Sequence, residues 1–274
     1  MAATEKPGIE FPSVLDSAYK EYKRHVKVAD IMSREVATTS PDIPMADAAK
    51  RMGEKHIGSL IVLQYGTPVG IVTERDLLSK VLFGGLALET TRVGQVMSYP
   101  LIKICPDIDI REAARTMTRR KGRLAVFRCG DIAGVITASD LIREMPDAPE
   151  TSLIVDEFMT KEVVNIGEDE TVDEVARIMG KERIGSVIVM RDENPCGIFT
   201  ERDLLTTFLA RGRPLDAPVS LASSSPLITA PVGISIHTAA KTMAAQHIRR
   251  LILTKKKKIA GIITARDLVE AYAR

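Results

Sequence analysis

The sequence has few of the features on which several classes of protein depend. Its three cysteines, Cys105, Cys129 and Cys196, are isolated from one another, so they indicate neither a disulfide framework nor a metal knuckle. No apolar run approaches the roughly 20 residues that a membrane-spanning helix requires. The stretch Met1–Lys6 lacks the apolar core of a signal peptide. We therefore expect a cytoplasmic protein without a membrane partner.

The sequence also lacks a strong charge of one sign. Its 274 residues include 38 basic and 36 acidic side chains, which give a net charge of +2, and 45% are hydrophobic, as is usual for a globular protein. This balance gives no general reason to expect a nucleic-acid partner. The basic run Lys255–Lys258 falls in a predicted hairpin turn without interleaved aromatic residues, and we interpret it as a solvated tip.

What the sequence does contain is one pattern, Gly-h-h-Thr-x-x-Asp (h, hydrophobic), that occurs four times. Its glycines are Gly70, Gly134, Gly197 and Gly261, spaced by 64, 63 and 64 residues. A fixed period of this length indicates repeated structural units. We therefore predict four copies of one unit, preceded by an extension, residues 1–26, with a short amphipathic helix.

Hydrophobic periodicity predicts the same five elements in each copy. A short strand precedes a helix that carries one apolar stripe, which in the first copy is Met45, Ala48, Ala49 and Met52. Two apolar strands then flank a short turn, as in a β-hairpin. The motif threonine, Thr73 in the first copy, ends the second hairpin strand, and another helix follows. The prediction is an α/β (α+β) fold of four β-α-β-β-α units.

Units of about 55 residues are small for a self-sufficient core, so we expect them to pair. Copies 1 and 3 share Ile-Gly-Ser and Thr-Glu-Arg-Asp, whereas copies 2 and 4 place Arg123 and Arg249-Arg250 beside a strand. This alternation indicates a duplicated pair. We predict one module over residues 27–147, with units at about 27–84 and 92–147. The second covers residues 152–274, with units at about 152–210 and 217–274. The join lies near Met145–Thr151. The modules of one chain could face each other, or each could pair with another chain in a homo-oligomer.

The motif threonine and aspartate allow two interpretations. In the first, threonine caps the following helix and aspartate complements its dipole. However, a reciprocal capping box favours Glu or Gln at the aspartate position, and the motif glycine weakens a strand unless something approaches it closely. In the second, the carboxylate accepts hydrogen bonds from the hydroxyls of a ribose, and the helix N-terminus faces a ribose or a phosphate. We favour the ligand site.

Further residues complete this predicted site. Arginine suits a phosphate because its planar guanidinium donates several hydrogen bonds. Ser139 stands at the arginine position of copy 2, which predicts a weaker anion contact there. No nucleophile–base pair and no metal-ligand cluster is evident. The candidate phosphate ligands are Arg75, Arg123, Arg202, Arg249, Arg250 and Arg266. The candidate apolar wall for a flat base comprises Ile57, Gly58, Ile184, Gly185 and Ile248.

The four units resemble CBS domains. The resemblance to the family covers residues 27–274 and lies in the Val-x-x-x-Met opening, which has lost its methionine at Ser223 in the fourth copy, the helix stripe, the Ile-Gly-Ser-Leu-Ile-Val strand of the first copy and the Gly-h-h-Thr-x-x-Asp motif. The resemblance implies paired units, called Bateman modules, whose clefts bind AMP, ADP, ATP or S-adenosylmethionine. The residues that it implies as ribose ligands are Asp76, Asp140, Asp203 and Asp267, helped by Thr73, Thr137, Thr200 and Thr264. First-strand positions that line the cleft in this family correspond to Thr38, Lys103, Asn165 and Thr229. Copies 2 and 3 depart there from the usual threonine or serine.

Our main hypothesis is a non-catalytic, energy-sensing regulatory protein that binds adenine nucleotides in clefts between paired units. It predicts no catalytic cofactor, no metal, and a client protein that the sequence does not identify. One alternative is a sensor of an S-adenosylmethionine-type ligand. Another is a structural adaptor whose vestigial clefts leave only a docking role. An enzyme is disfavoured because the four copies leave few residues for a catalytic domain.

Overall fold

The computed structural model describes residues 26–144 and 152–274. The predicted N-terminal helix, Ser13–His25, and the predicted join, Met145–Thr151, lie outside these residues. The described part of the chain forms four three-stranded sheets with their helices, which confirms the predicted fold of four β-α-β-β-α units. None of its helices has both the length and the apolar character needed to cross a bilayer.

In each unit the first strand pairs in parallel with the second, which pairs antiparallel with the third. Unit 1 comprises β1 (Thr38–Thr39), α1 (Met45–Glu54), β2 (Ser59–Gln64), β3 (Thr67–Thr73) and α2 (Glu74–Asp76, continued as a π-helix over Leu77–Leu82). Unit 2 comprises β4 (Lys103–Ile104), α3 (Ile110–Arg120), β5 (Leu124–Arg128), β6 (Asp131–Ile136) and α4 (Ala138–Glu144).

Units 3 and 4 repeat this order. Unit 3 comprises β7 (Asn165–Gly167), α5 (Val172–Glu182), β8 (Ser186–Arg191), β9 (Asn194–Thr200) and α6 (Glu201–Asp203, continued as a π-helix over Leu204–Phe208 and a 3-10 turn over Leu209–Arg211). Unit 4 comprises β10 (Thr229–Pro231), α7 (Ile236–Ala245), β11 (Arg250–Lys255), β12 (Lys258–Thr264) and α8 (Ala265–Ala273).

The segment that opens each sequence repeat packs on the other unit of its module. We call residues 26–34, 92–98, 154–160 and 218–224 the arms; each contains one short helical turn, at Val28–Ile31, Val93–Val96, Val155–Glu157 and Val219–Leu221. The arm of repeat 1 pairs through Ser33 with Val135 of unit 2, and the arm of repeat 2 pairs through Ser98 with Ile71 of unit 1. Repeats 3 and 4 exchange arms in the same way. The folded unit is therefore offset from the sequence repeat.

Helices join the two modules face to face. Buried side chains of units 1 and 3, such as Met52 and Met179, form one continuous apolar core. Those of units 2 and 4, such as Met117 and Met243, form a second core. Arms and sheets join the units within a module, and a smaller cluster around Ile61 lies between the sheets of units 1 and 2. The modules of one chain thus face each other, which settles a question that the sequence left open.

Two glycines allow the module helices to approach closely. A Cβ atom on Gly53 of α1 would collide with the backbone oxygen of Leu205, and one on Gly180 of α5 with that of Leu78. Both oxygens belong to the π-helical segments of the opposite module. Units 1 and 3 therefore make the same contact with each other: a glycine in the first helix of each unit lies against the π-helical segment of the other.

Candidate functional site

All four motif aspartates adopt the same local structure. In unit 1, Oδ2 of Asp76 accepts hydrogen bonds from the backbone nitrogen and Oγ1 of Thr73, at 2.9 and 2.6 Å. The corresponding distances in the other units are 2.7 to 2.8 Å. In units 1, 3 and 4 the threonine Oγ1 also accepts the aspartate N–H, which completes a reciprocal capping box. The Oδ2 atom of each motif aspartate and the hydroxyl proton of its threonine are therefore used in hydrogen bonds that stabilise the helix start.

This capping corrects one step of the sequence argument. The preference of capping boxes for Glu or Gln counts against a box in the sequence, but the boxes form with aspartate. Because threonine ends an extended strand at the motif, the short aspartate side chain reaches back to both threonine donors. The motif alone therefore does not distinguish a cap from a ligand site, and only Oδ1 remains for a ligand.

The motif glycines also have a structural explanation. A Cβ atom on Gly70 would lie 2.9 Å from Sδ of Met97, and one on Gly134 would lie 2.7 Å from Sδ of Met32. The arms of the partner units supply both methionines. The close approach that the sequence argument assigned to a ligand is made by the protein itself.

The Oδ1 atoms of the first module already have partners. Oδ1 of Asp76 accepts a hydrogen bond from Oγ of Ser98 at 2.9 Å and lies 2.7 Å from Nζ of Lys80. Lys80 also donates to the backbone oxygen of Val96 at 2.6 Å. Oδ1 of Asp140 forms an ion pair with Arg143. Both carboxylates are buried, with Asp76 4% and Asp140 6% exposed.

The Oδ1 atoms of the second module are different. Across the described ranges, Oδ1 of Asp203 and Oδ1 of Asp267 have no hydrogen-bond or ion-pair partner, and both residues are half-buried. Burial raises the pKa of both carboxyls, against the opposing effects of the threonine hydrogen bonds and of nearby arginines. Each therefore presents an acceptor oxygen that is partly desolvated and not yet used.

Glutamate–arginine ion pairs link the two units of each module. Glu74 of unit 1 pairs with Arg123 of unit 2 at 3.2 Å, and Glu201 of unit 3 pairs with Arg250 of unit 4 at 2.9 Å. A Cβ atom on Gly58 would collide with the first pair. Gly185 has the same relation to the second pair. These two glycines, predicted as part of a base-binding wall, make room for ion pairs, and two predicted phosphate ligands already hold glutamates.

The structure brings the six predicted phosphate ligands into one charged group, which we call the arginine cluster: Arg75, Arg123, Arg202, Arg249, Arg250 and Arg266. Burial, followed by the charge of Arg202, lowers the pKa of Arg249 to about 10. Partial desolvation, followed by the charge of Arg75, lowers the pKa of Arg266, and the shift is modest in effect because much of this side chain is exposed. Arg266 also donates to the backbone oxygen of Lys121 at 2.9 Å. Crowded guanidinium groups of this kind attract anions.

Comparison with known proteins agrees with this architecture. The sequence model of the CBS domain matches residues 28–82, 93–147, 155–210 and 219–274. The chain belongs to the CBS-domain family. An uncharacterized protein of Methanocaldococcus jannaschii is 28% identical over 269 residues, which cover 90% of this chain and 62% of that relative. One from Methanopyrus kandleri is 32% identical over 126 residues, 45% of this chain and 64% of the relative. The matches thus span about three-fifths of these relatives' length.

Two solved structures share the fold. A crystal structure from Methanocaldococcus jannaschii, described as a proposed archaeal homologue of gamma-AMPK, has a TM-score of 0.74 at 22% identity and covers 90% of this chain and 100% of that one. An uncharacterized conserved protein of Pyrococcus horikoshii has a TM-score of 0.61 at 19% identity, with the same coverage. At these identities the similarity concerns the fold.

The remaining predicted cleft residues of the CBS units lie in different surroundings. Ile57 and Ile184 are half-buried against the core of units 1 and 3, and Ile248 against the core of units 2 and 4. Thr38 is half-buried in β1, whereas Thr229 is exposed in β10. Asn165 is also exposed, and Lys103 lies 4.6 Å from the ring centroid of Phe127.

Sequence reasoning missed Lys80, Ser98 and Arg143. Lys80 follows its aspartate by four residues and Arg143 by three, and side chains at these spacings meet on a helix. This signal was present in the sequence. The role of Ser98 was hidden, because it depends on the exchange of arms between units.

Proposed function

We propose that this CBS protein is a non-catalytic regulator that binds adenine nucleotides. Ribose hydroxyls donate to the Oδ1 atom of motif aspartates, and phosphates contact the arginine cluster. The observation that carries the proposal is the placement of partly desolvated carboxylates within electrostatic range of guanidinium groups. The charges of Arg250 and Arg202 act on the pKa of Asp203, and that of Arg266 acts on the pKa of Asp267.

The chemistry of the cluster favours a phosphorylated ligand. Among the described residues, Arg75, Arg202, Arg249 and Arg266 form no ion pair. Burial, and then the charge of Arg202, lower the pKa of Arg249 to about 10, and a phosphate beside it would favour its charged form. S-adenosylmethionine carries a sulfonium cation, which the same arginines would repel. This argues for nucleotides over the S-adenosylmethionine alternative.

The position of the cluster suggests how occupancy would be transmitted. Its arginines come from all four units, and Arg266 of unit 4 contacts Lys121 of unit 2 in the opposite module. A phosphate there would interact with both modules at once. Because a ligand shifts an equilibrium only through its differential affinity for two states, AMP and ATP would act differently if they compensate different arginines. An unidentified client would read the resulting orientation of the modules.

A thermal-shift panel on nucleotide-stripped protein tests the proposal, with AMP, ADP, ATP, S-adenosylmethionine, GMP, IMP, adenosine and inorganic phosphate as ligands. A ligand at 100 times its dissociation constant adds about 2.7 kcal/mol per site, which is a rise of several degrees for a chain of this size. Stabilisation by adenine nucleotides beyond that by adenosine or phosphate alone supports the proposal. Stabilisation by S-adenosylmethionine alone would favour that sensor, and no response to any ligand would favour the adaptor.

Variants of the arginine cluster separate phosphate recognition from adenosine recognition. We expect Arg249→Ala and Arg266→Ala to weaken AMP and ATP binding by roughly tenfold or more each, because each removes a charge-assisted contact. Binding of adenosine should change little. Lys181→Ala, an exposed change on α5, is the control. Equal losses for AMP, ATP and adenosine would contradict the assigned role. Light scattering of the same samples reports whether the chain self-associates.

A further inference from the structure

The clearest difference between the clefts lies at the second carboxylate oxygen of each motif aspartate. We propose that the two modules are not equivalent, and that the ligand binds in the second module, at Asp203 and Asp267, whereas Lys80 with Ser98 and Arg143 block the aspartates of the first. The proposal rests on the proposed function, and it adds which clefts are filled and which residues decide this.

The carboxylate of Asp76 has no acceptor position to spare. An ionised carboxylate offers about four lone-pair sites. Thr73 occupies Oδ2 with two donors, and Ser98 and Lys80 occupy Oδ1. A ribose could bind here only after displacing both, and the buried carboxylate would lose its charged partner while it did so.

Lys80 is held in position by more than this aspartate. Its ammonium group also donates to the backbone oxygen of Val96 at 2.6 Å. Val96 and Ser98 belong to the same arm, which unit 2 contributes to unit 1. The first cleft is therefore closed by a lysine of its own helix together with the arm of its partner.

The second cleft of this module is closed by a different residue. Arg143, three residues after the motif aspartate, forms an ion pair with Oδ1 of Asp140. The Asp140 side chain is 6% exposed, while that of Arg143 is 61% exposed. An exposed arginine therefore occupies the oxygen of Asp140 that a ribose would need.

The second module has no cation at either position. Three and four residues after Asp203 the chain has Thr206 and Thr207, and after Asp267 it has Glu270 and Ala271. Thr206 donates to the backbone oxygen of Arg202 instead. Ser224, the counterpart of Ser98, pairs with Ile198 through its backbone, but Asp203 receives no side-chain hydrogen bond from it in the described part of the chain.

The arm that faces unit 3 also carries a smaller side chain beside the motif glycine than the other three arms do. The arms facing Gly70, Gly134 and Gly261 each place a methionine against the glycine, whereas Ser223 stands at that position beside Gly197. Serine removes most of the side-chain volume there. Unit 3 therefore combines a free Oδ1 atom on Asp203 with a smaller arm side chain beside its motif glycine, whereas unit 4 has only the free Oδ1 atom of Asp267.

Calorimetric titration of the full, nucleotide-stripped chain with AMP tests the inference. We expect about two sites per chain. Asp203→Asn and Asp267→Asn should each remove one site or weaken it by roughly tenfold or more, whereas Asp76→Asn and Asp140→Asn should leave the count unchanged. Because these four variants change the same group in the same local structure, they control for one another.

Exchange of residues between modules provides the sharper test. Lys80→Thr combined with Ser98→Ala removes both partners of Asp76 Oδ1 and should add a site, whereas Thr207→Lys should remove one. Lys50→Thr, an exposed change on α1, is the control for loss of a lysine. If this double variant does not fold, Thr207→Lys and the aspartate variants still decide the question.

The outcomes separate the inference from the proposed function. Absence of binding of AMP, ADP and ATP alike to the wild-type chain would overturn the proposed function. Four sites, or an equal loss from Asp76→Asn and Asp203→Asn, would overturn the inference and leave the function intact. An unchanged count in Thr207→Lys would overturn it as well.

Discussion

Units 1 and 3 carry the same motif, Thr-Glu-Arg-Asp, and fold it identically, yet they offer different carboxylates to a ligand. Each threonine and aspartate form the same capping box, and each glutamate pairs with an arginine of the partner unit. The difference arises four residues later, where Lys80 in unit 1 corresponds to Thr207 in unit 3. The motif determines the fold of the turn, and residues outside the motif determine whether the second oxygen of its aspartate is free to bind a ligand.

This comparison changes what the motif means. Its glycine accommodates the partner arm, its aspartate caps a helix, and the glutamate of units 1 and 3 holds an arginine. All three roles are structural and would recur in a unit that binds nothing. Recurrence of the motif is therefore evidence for the fold. Evidence for a ligand comes from the unpaired oxygens and the uncompensated arginines.

The largest expected effect concerns a feature that the two modules share. Arg123→Met and Arg250→Met each leave a glutamate of the partner unit without its charge partner. Because Glu74 is 5% exposed, we expect Arg123→Met to lower the free energy of unfolding by about 3 kcal/mol. Arg250→Met should have a similar effect, slightly reduced because Glu201 is more exposed. Chemical denaturation measures both.

Removing both members of a pair provides the control. The double variant Glu74→Leu with Arg123→Met should recover most of the lost stability, because no buried charge remains unpaired. A loss in the double variant equal to that of Arg123→Met alone would mean that the ion pair is not the reason.

A smaller and symmetrical effect is expected at the contact between modules. Gly53→Ala and Gly180→Ala place a methyl group against a backbone oxygen of the opposite module, and we expect each to cost about 2 kcal/mol. Gly167→Ala meets its nearest atom at 3.7 Å and should change stability little. Thermal unfolding compares the three. If only one of the two interface variants is destabilised, the modules do not pack with the symmetry seen here.

Sequence reasoning predicted the fold in detail because repetition and hydrophobic periodicity are local signals. It placed the strands and helices of four units, although the first strand of unit 1 spans only Thr38–Thr39. It also noted the alternation of Glu74 and Glu201 with Arg123 and Arg250 without recognising two halves of an ion pair. Pairing between units, like the exchange of arms, depends on tertiary contacts that periodicity does not encode.

The sequence predicted which residue types form the candidate site, but it did not predict which of their side chains already have partners. The motif aspartates and the six arginines were named from the sequence, and the structure groups the arginines together. Which carboxylates are already occupied depended on Lys80, Ser98 and Arg143, and one of these three acts from another unit. The role of the motif aspartates and of the arginine cluster as nucleotide ligands stays a prediction until binding is measured.

The smallest effect expected is a pH dependence confined to the second module. Burial raises the pKa of Asp203 and Asp267 above the ordinary value of 3.8. A carboxyl with a raised pKa favours folding when it is protonated, so its contribution to stability is present below pH 3.8 and is lost as the pH rises through the native pKa. Hydrogen bonds from a ribose favour the charged form. AMP affinity should therefore fall as the pH is lowered through that native pKa, and binding there should take place with release of protons.

Calorimetric titration in buffers of different ionisation enthalpy measures this release. Asp203→Asn should reduce this proton release. Asp76→Asn should leave it unchanged, because the carboxylate of Asp76 in the wild-type chain is already paired with Lys80. An equal reduction in both variants would mean that the two modules titrate alike, and the asymmetry drawn from their Oδ1 contacts would be wrong.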